Sequence, residues 1–348
     1  GIFLIAKPID LATAVQVAEN LMLERTSQVF NNSVAIPLHT DTGRTGIYVV
    51  KLHPEGFVLV AGDDAARPVL GFSDSGIWGE HSLPPQLEAQ LQNWLSQMDL
   101  IVSRGLTADT ETQAQWQRYA VPEDQFVILR DIRSVSPLIS STWGQESPYN
   151  ALCPTGTPVG CVATAMSQIM RYWAYPTTGS GTHSYVHPTY GTLSADFGNT
   201  VYAWSSMPNA ASSSNSAVAT ICYHAGVSVD MDYATDGSGA YSYDVPNALV
   251  TYFKYKSTAS WKQKLSYSET NWEALMRGEL DNYRPVYYSG SSTQSGGHAF
   301  ILDGYNGTNY FHINWGWYGY YNGYFYLSAL NPGGEDFTSS QQAVTGIQ

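Results

Sequence analysis

The sequence predicts an α+β fold, with helices early in the chain and antiparallel strands towards its end. Apolar residues recur at helical spacing, most regularly over residues 161–173. Aromatic, strand-like segments come last, at 299–305, 310–315 and 323–327. This order of elements is typical of the α+β class.

The N-terminal third is predicted to form a small α+β unit of its own. Asp10 is a suitable N-cap for a helix over 11–22, and Pro84-Pro85 precede a second helical pattern. Between them, the strand-like segments 46–52 and 56–61 are joined by a short turn, which predicts a hairpin. The polar, weakly patterned stretch 105–128 is interpreted as a linker to the rest of the chain.

Composition and charge exclude several classes of function. The chain has 348 residues, enough for one large or two ordinary domains, and only 13% of them are charged. This composition favours an extracytoplasmic protein. The formal charge is −13 and no Lys/Arg-rich run occurs, so we expect no nucleic-acid partner. No stretch approaches the roughly 18 apolar residues that span a bilayer, and the first apolar run is too short for a signal peptide.

Three cysteines, Cys153, Cys161 and Cys222, exclude a disulfide scaffold, and none are spaced as zinc ligands. His183 and His187 have i,i+4 spacing, but Pro188 and the nearby glycines argue against a helix there. We therefore interpret both histidines as surface-loop residues. The sequence predicts no metal site and no organic cofactor.

Cys161 is the candidate nucleophile. It follows Gly160 and occupies the first turn of the amphipathic helix 161–173, where free backbone N–H groups and the helix dipole favour an anion. A thiol at such a position is expected to have a lowered pKa. The alternative is a buried, inert cysteine. Cys153 and Cys222 are interpreted as structural.

His298 is the candidate base and Asn314 its orienting partner. Asn306-Gly307 predicts a hairpin that brings His298 near the segment 314–317, whichever of two turn lengths applies. An imidazole needs a neighbour on one ring nitrogen to fix its tautomer, and Asn314 is the best placed. Trp315 would shield that contact from water. His312 is interpreted as a packing or hydrogen-bonding residue.

These motifs together resemble the streptopain family of secreted bacterial cysteine proteases, which have a papain-like fold. The matching segments are 160–165 with 168–170, 297–300, 314–317 and 327–332. The resemblance implies that Gln145, within 143–150, supplies a side-chain donor to the oxyanion, beside the N–H of Cys161. One departure is a loop after Asn331-Pro332 that is shorter than in streptopain, with only Gly333-Gly334 remaining.

The resemblance also implies a zymogen. Residues 56–63 and 69–73 resemble the family's propeptide, so residues 1–115 would fold as an inhibitory prodomain before a catalytic domain of residues 116–348. The expected location is secreted, periplasmic or at the cell surface.

The predicted function is therefore a cysteine endopeptidase precursor that hydrolyses protein or peptide substrates through an acyl-enzyme. Two alternatives remain open at this point. A transglutaminase-like acyl transferase or amidase would use a Cys–His–Asp set, with an Asp rather than Asn314 beside His298. A protease-like module would bind peptides without cleaving them, so the processed chain would show binding but no turnover.

Overall fold

The structure is a computed structural model that describes residues 7–129, 133–292, 296–307, 309–327 and 340–348. Helices in these ranges are α1 (Leu11–Thr26), α2 (Pro85–Ser103), α3 (Thr110–Tyr119), α4 (Cys161–Trp173), α5 (Ser216–Val227), α6 (Val245–Thr251) and α7 (Glu269–Asp281). Strands are β1 (Val34–His39), β2 (Thr45–Lys51), β3 (Phe57–Ala61), β4 (Val69–Ser73), β5 (Ser134–Val135), β6 (Thr182–His187), β7 (Gly191–Asp196), β8 (Ser260–Gln263), β9 (Val286–Ser292), β10 (Gly296–Asn306), β11 (Tyr310–Asn314), β12 (Gly323–Tyr326) and β13 (Gln342–Thr345). The mixture of helices and antiparallel strands confirms the predicted α+β class.

The chain divides into two compact units, each built from separate stretches of sequence. The first unit comprises residues 1–134, 306–311 and 321–339, and the second comprises 135–305, 312–320 and 340–348.

In the first unit, antiparallel strands follow the order β1-β2-β3-β4-β12. Helix α1 begins at the predicted N-cap, where Asp10 Oδ1 accepts a hydrogen bond of 2.7 Å from Thr13 N. Its buried face packs on β2 and β3, and α2 packs on β2. The predicted N-terminal helices and hairpin are thus confirmed.

The stretch expected as a linker contains helix α3. Asp109 caps this helix by accepting a hydrogen bond from Thr112 N, and Trp116 is buried. The Trp116 indole donates a 2.8 Å hydrogen bond to Ala66 O, which ties the helix to the first unit. Tyr119 is also buried, so an N-cap and two buried aromatic side chains anchor a segment whose other residues are mostly polar.

Strand β12 lies in a different place from that suggested by its position in the sequence. It follows β10 and β11 along the chain but belongs to the first unit, where Tyr324 pairs with Phe72 and Phe325 with Gly71. A Cβ at Gly71 would lie 2.4 Å from the Phe325 ring, so the absent side chain makes room for that ring. Such long-range pairing leaves no mark in the local pattern.

In the second unit, helices pack on antiparallel strands of a sheet in the order β10-β9-β13-β8. Helix α4 packs against α5 and β9, and its buried face joins an apolar cluster that also includes residues of α5, α6 and β10. Strands β10 and β11 are neighbours, as the Asn306-Gly307 turn predicted. Among the described residues, no helix is long and apolar enough to cross a bilayer.

Candidate active site

Cys161 is the first residue of α4, at the predicted helix start. The preceding Gly160 has a φ of +88°, and a Cβ there would lie 2.8 Å from Met231 Sδ. Only glycine fits both the backbone conformation and the space. Gly160 thereby allows the chain to turn sharply into the helix and to present Cys161 at its N-terminus.

The thiol of Cys161 lies among backbone N–H groups. Burial raises its pKa, while the N–H groups of Ala299, Val162 and Cys161 itself lower it, and burial dominates. The pKa is therefore raised, whereas the helix position alone led us to expect a lowered pKa. Loss of water around the sulfur costs the anion more than the three N–H groups return.

His298 lies on β10, where it pairs with Gly290 of β9. The next residue, Ala299, supplies the N–H that faces the thiol, so the backbone of β10 passes directly beside Cys161. Cys161 and His298 line the same cavity, of about 320 Å³. The structure therefore brings the predicted nucleophile and the predicted base to one site.

Aromatic and polar side chains line much of the cavity. Its walls include Tyr241, Tyr243, Trp261, Ser242 and Ser289. The rings of Tyr241 and Tyr243 stack at 5.1 Å and are exposed. A peptide bound against Cys161 would contact these groups.

Asn314, the last residue of β11, is buried, and its side-chain amide is hydrogen-bonded at both ends. Nδ2 donates to Ser141 O at 2.8 Å. Oδ1 accepts from Gly316 N at 3.0 Å and from Gln168 Nε2 at 3.2 Å. Among the described residues, the Asn314 amide therefore bonds to Ser141, Gly316 and Gln168 and not to His298, the contact that the sequence led us to expect. The bond from Gly316 N fixes the backbone across Trp315.

Trp315 is buried with its ring 5.1 Å from the ring of Phe300. Phe300 and His298 are alternate residues of β10 and so lie on the same face of the strand. Trp315 therefore lies against the face of β10 that also carries His298.

Gln145 is buried, and hydrogen bonds fix the backbone at Gln145 and at the next residue. Val159 N donates to Gln145 O at 2.8 Å, which ties Gln145 to the loop before Cys161. Glu146 N donates to Tyr318 Oη at 3.1 Å. Within the part of the chain that the structure describes, no residue hydrogen-bonds the Gln145 side-chain amide. Gln145 is not among the residues that line the cavity with Cys161 and His298.

Two residues that support the site were not identified from the sequence. Gln168 of α4 bonds to Asn314, and Tyr318 bonds to the segment around Gln145. Gln168 lies in the segment 168–170 that carries the family resemblance, but nothing in the sequence indicated that it would bond to Asn314. Tyr318 gave no signal, because it is one of 25 tyrosines in a sequence where tyrosine is common.

The other two cysteines have the surroundings of structural residues. Cys222 is fully buried, and burial raises its pKa. Burial raises the pKa of Cys153 to about 12, although the Tyr233 hydroxyl, 3.9 Å away, opposes the shift. Both thiols would therefore be protonated at neutral pH.

The remaining histidines of interest are paired with carboxylates. His312 Nδ1 lies 2.6 Å from Oδ1 of the buried Asp303, whose Oδ2 accepts from Ile139 N. Asp303 is thus engaged by His312 and Ile139, and His312 has the hydrogen-bonding role predicted for it.

His183 and His187 lie on strand β6 rather than in a loop, and they bond to Asp230 and Asp232. His187 is buried, so the expectation of two surface histidines is wrong for it. Among the described residues, no group of three or more His, Cys, Asp or Glu side chains is placed to hold a metal ion. The segment 328–334, with the shortened loop expected after Pro332, lies outside the described residues.

Two family models match the chain, one to each end. The model of the peptidase C10 family matches residues 143–325. The model of the Spi protease inhibitor family matches residues 6–99. The first match contains all five predicted site residues: Gln145, Cys161, His298, Asn314 and Trp315.

The chain is also similar to curated proteins along its whole length. The thiol protease/hemagglutinin PrtT of Porphyromonas gingivalis is 32% identical over 370 residues, which is 99% of this chain but 42% of that protein. Streptopain of Streptococcus pyogenes is 29% identical over 386 residues, covering 100% of this chain and 89% of that protein.

Two solved structures from Prevotella intermedia show the same fold. A fragment of prointerpain A has a TM-score of 0.73 and 31% identity, covering 90% of this chain and 98% of that one. The active interpain A cysteine protease has a TM-score of 0.56 and 38% identity, covering 62% of this chain and 95% of that one.

Proposed function

The chain belongs to the peptidase C10 family and is a cysteine endopeptidase precursor, and we propose that Cys161 is its nucleophile and His298 its general base. The observation that carries this proposal is the shared cavity, which is lined both by Cys161 at the N-terminus of α4 and by His298 of β10. Neither of the other cysteines lines this cavity.

The proposed reaction has two steps. His298 takes the proton of Cys161, and the thiolate attacks the carbonyl carbon of the scissile peptide bond. The negative charge then moves to the carbonyl oxygen, where the Gln145 amide and the Cys161 N–H donate to it. His298 passes its proton to the departing amine and leaves an acyl-enzyme. Water, deprotonated by His298, then releases the acid and restores the thiol.

Asn314 and Trp315 are proposed to orient His298. Asn314 is anchored to Ser141 O and accepts a hydrogen bond from Gly316 N, so the residues that flank Trp315 are fixed. The Trp315 ring is thereby held against Phe300, on the face of β10 that carries His298. Restricting the imidazole in this way would keep one ring nitrogen directed at the thiol. The same ring would exclude water from the imidazole.

Residues 1–115 are proposed to be an inhibitory propeptide and residues 116–348 the catalytic domain. The match of residues 6–99 to a protease-inhibitor family and the similarity to prointerpain A support an intramolecular inhibitor. The proposed boundary lies between the two family matches. If removal of residues 1–115 left a folded domain that was no more active than the full chain, inhibition by this segment would be refuted.

The substrates are proposed to be proteins or peptides met outside the cytoplasm, by a protein that is secreted, periplasmic or held at the cell surface. The low charged fraction, 13%, supports this location. The open, aromatic cavity beside Cys161 suits an extended peptide better than a small amide.

Acyl-enzyme formation can be observed directly. Rapid mixing of the processed chain with a peptide nitrophenyl ester should release a burst of nitrophenol equal to the enzyme concentration. The burst should vanish in Cys161→Ala and become slow in His298→Ala. A full burst in Cys161→Ala would exclude Cys161 as the nucleophile.

A further inference from the structure

Gln168 connects the helix of the nucleophile to two other segments of the site. It lies on α4 seven residues after Cys161, about two helical turns away, and is 0% exposed. Its Oε1 accepts hydrogen bonds from Ser141 Oγ and Trp143 N, both at 3.0 Å. Its Nε2 donates to Asn314 Oδ1 at 3.2 Å.

Each partner of Gln168 belongs to a segment that carries a proposed functional group. Trp143 lies two residues before Gln145, and Asn314 directly precedes Trp315. Gln168 therefore contacts both the segment of the oxyanion donor and the segment that orients His298. The helix that bears Gln168 also begins with the nucleophile.

A second contact brings the 314–316 segment against the same face of α4. A Cβ at Gly316 would lie 3.1 Å from Thr164 Cγ2 and 3.9 Å from Gln168 Nε2. Thr164 and Gln168 are four residues apart and so lie on one face of the helix. Small shifts of this segment are resisted by close packing as well as by hydrogen bonds.

We propose that Gln168 is a positioning residue, whose amide fixes the Gln145 segment and the Asn314–Trp315 segment to the helix that carries Cys161. The inference rests on the proposed function. Gln168 does not line the cavity with Cys161 and so acts through its neighbours. An amide suits this role because it accepts two hydrogen bonds with one atom and donates one with the other.

Substitution by glutamate separates this role from mere packing. A protonated glutamic acid has nearly the shape of glutamine and retains an acceptor towards Trp143 N and a donor towards Asn314 Oδ1. The carboxylate lacks the donor. The hydrogen-bonded neighbours Ser141, Trp143 and Asn314 carry no charge, so burial should favour the protonated form at low pH.

The experiment uses the full chain, processed identically for each variant, with active sites titrated by an epoxysuccinyl inhibitor. We expect the ratio of kcat for Gln168→Glu to kcat for wild type to be close to one at low pH. It should fall about tenfold or more as pH rises, because the carboxylate loses the hydrogen bond to Asn314 Oδ1, worth about 1.4 kcal/mol. KM should stay within about threefold because ground-state binding is intact. Gln168→Met should have low kcat at every pH.

Ser167→Ala is the matched control. Ser167 is as buried as Gln168 and lies on the same helix, but its hydroxyl donates to Ile221 O of α5 at 3.4 Å and not to the Gln145 or Asn314 segment. Its kcat should equal that of wild type across the pH range. A pH-independent ratio for Gln168→Glu, or a wild-type kcat in Gln168→Met, would overturn the proposal.

If neither Gln168 variant yields titratable sites, Ser141→Ala decides the question. It removes one of the bonds to Oε1, so kcat per site should fall about tenfold, as expected for one hydrogen bond of about 1.4 kcal/mol, and an unchanged kcat would overturn the proposal. Failure of the proposed function would look different, because the wild-type chain itself would then not be titrated by the inhibitor.

Discussion

The ring of Tyr318 lies against Gly144, where an added Cβ would be 2.4 Å from the ring carbon Cε1. The Tyr318 hydroxyl accepts a hydrogen bond from Glu146 N, and Tyr318 N donates to Trp143 O. Gln145 thus lies between two residues that Tyr318 contacts. The position of the proposed oxyanion donor therefore depends on the absence of a side chain at Gly144.

Gly144→Ala should lower kcat without a matching rise in KM. The new methyl group must displace either the Tyr318 ring or the backbone that carries Gln145, and a donor moved from its position no longer meets the oxyanion. Loss of one such donor reduces kcat by about 100-fold or more. Steady-state kinetics on a peptide amide, normalised to titrated sites, measures the effect.

The matched control is Gly278→Ala. Gly278 lies within α7, where an added Cβ would meet nothing within 4 Å. We expect unchanged kcat and a stability gain of about 0.5–1 kcal/mol, since alanine is the better helix former. If Gly144→Ala were as active as Gly278→Ala, the contacts of Tyr318 with Gly144 and Glu146 would not determine the position of Gln145.

Asn314→Ala should reduce kcat about tenfold or more. The substitution removes the hydrogen bond that Asn314 donates to Ser141 O and the one that it accepts from Gly316 N. One lost buried hydrogen bond of about 1.4 kcal/mol corresponds to a factor of ten. Because the effect acts through His298, it should be greater for amide than for activated ester substrates, whose leaving groups need less protonation. Asn247→Ala, at an exposed position, serves as the control. Equal losses on both substrates would argue against an effect on His298.

In the full, unprocessed chain, the thiol of Cys161 should be alkylated slowly, at a rate that depends on pH. Burial raises the pKa of this thiol, and only the thiolate reacts, so less reactive species is present at any given pH. We expect the rate of iodoacetamide alkylation to rise with pH, with a midpoint above the usual thiol value of about 8.5. Mass spectrometry of Cys161 peptides gives the rate. After processing, pairing with His298 should move the midpoint below neutral pH; an already low midpoint in the full chain would contradict the raised pKa.

His224 should make the fold sensitive to acid. Burial lowers its pKa to about 4, against the opposing effect of Asp196, and its Nδ1 lies 2.9 Å from the Tyr202 hydroxyl. A lowered pKa means that the stabilisation is present above the unfolded value of about 6.5 and is lost as pH falls towards 4. The loss is at most about 3 kcal/mol. Urea unfolding between these pH values measures it.

His224→Gln is the control for this acid sensitivity. The glutamine does not titrate and offers an acceptor to Tyr202, so its free energy of unfolding should change less over the same interval. Parallel curves for the two proteins would assign the acid sensitivity to other groups.

The sequence predicted those parts of the site that depend on local pattern. The α4 start at Cys161 followed from a glycine and a helical apolar stripe, and the β10-β11 hairpin followed from Asn306-Gly307. Both features are set by backbone preferences within a few residues. They were enough to bring Cys161, His298 and Trp315 into one region.

The remaining features depend on residues far apart in the sequence. The pairing of β12 with β4 joins Phe325 to Gly71, and the Gln168 network joins residues 141, 143 and 314. The raised pKa of Cys161 depends on how much protein surrounds the sulfur. None of these can be read from spacing, because burial and long-range contacts are known only once the chain is folded.

The most direct test of the account is to map the site of covalent labelling. The processed chain is treated with an epoxysuccinyl thiol-protease inhibitor, digested and analysed by mass spectrometry. We predict one adduct, on Cys161, with loss of peptidase activity in proportion to labelling and no adduct in Cys161→Ala. An adduct on Cys153 or Cys222 that abolishes activity, or full peptidase activity in Cys161→Ala, would contradict the account.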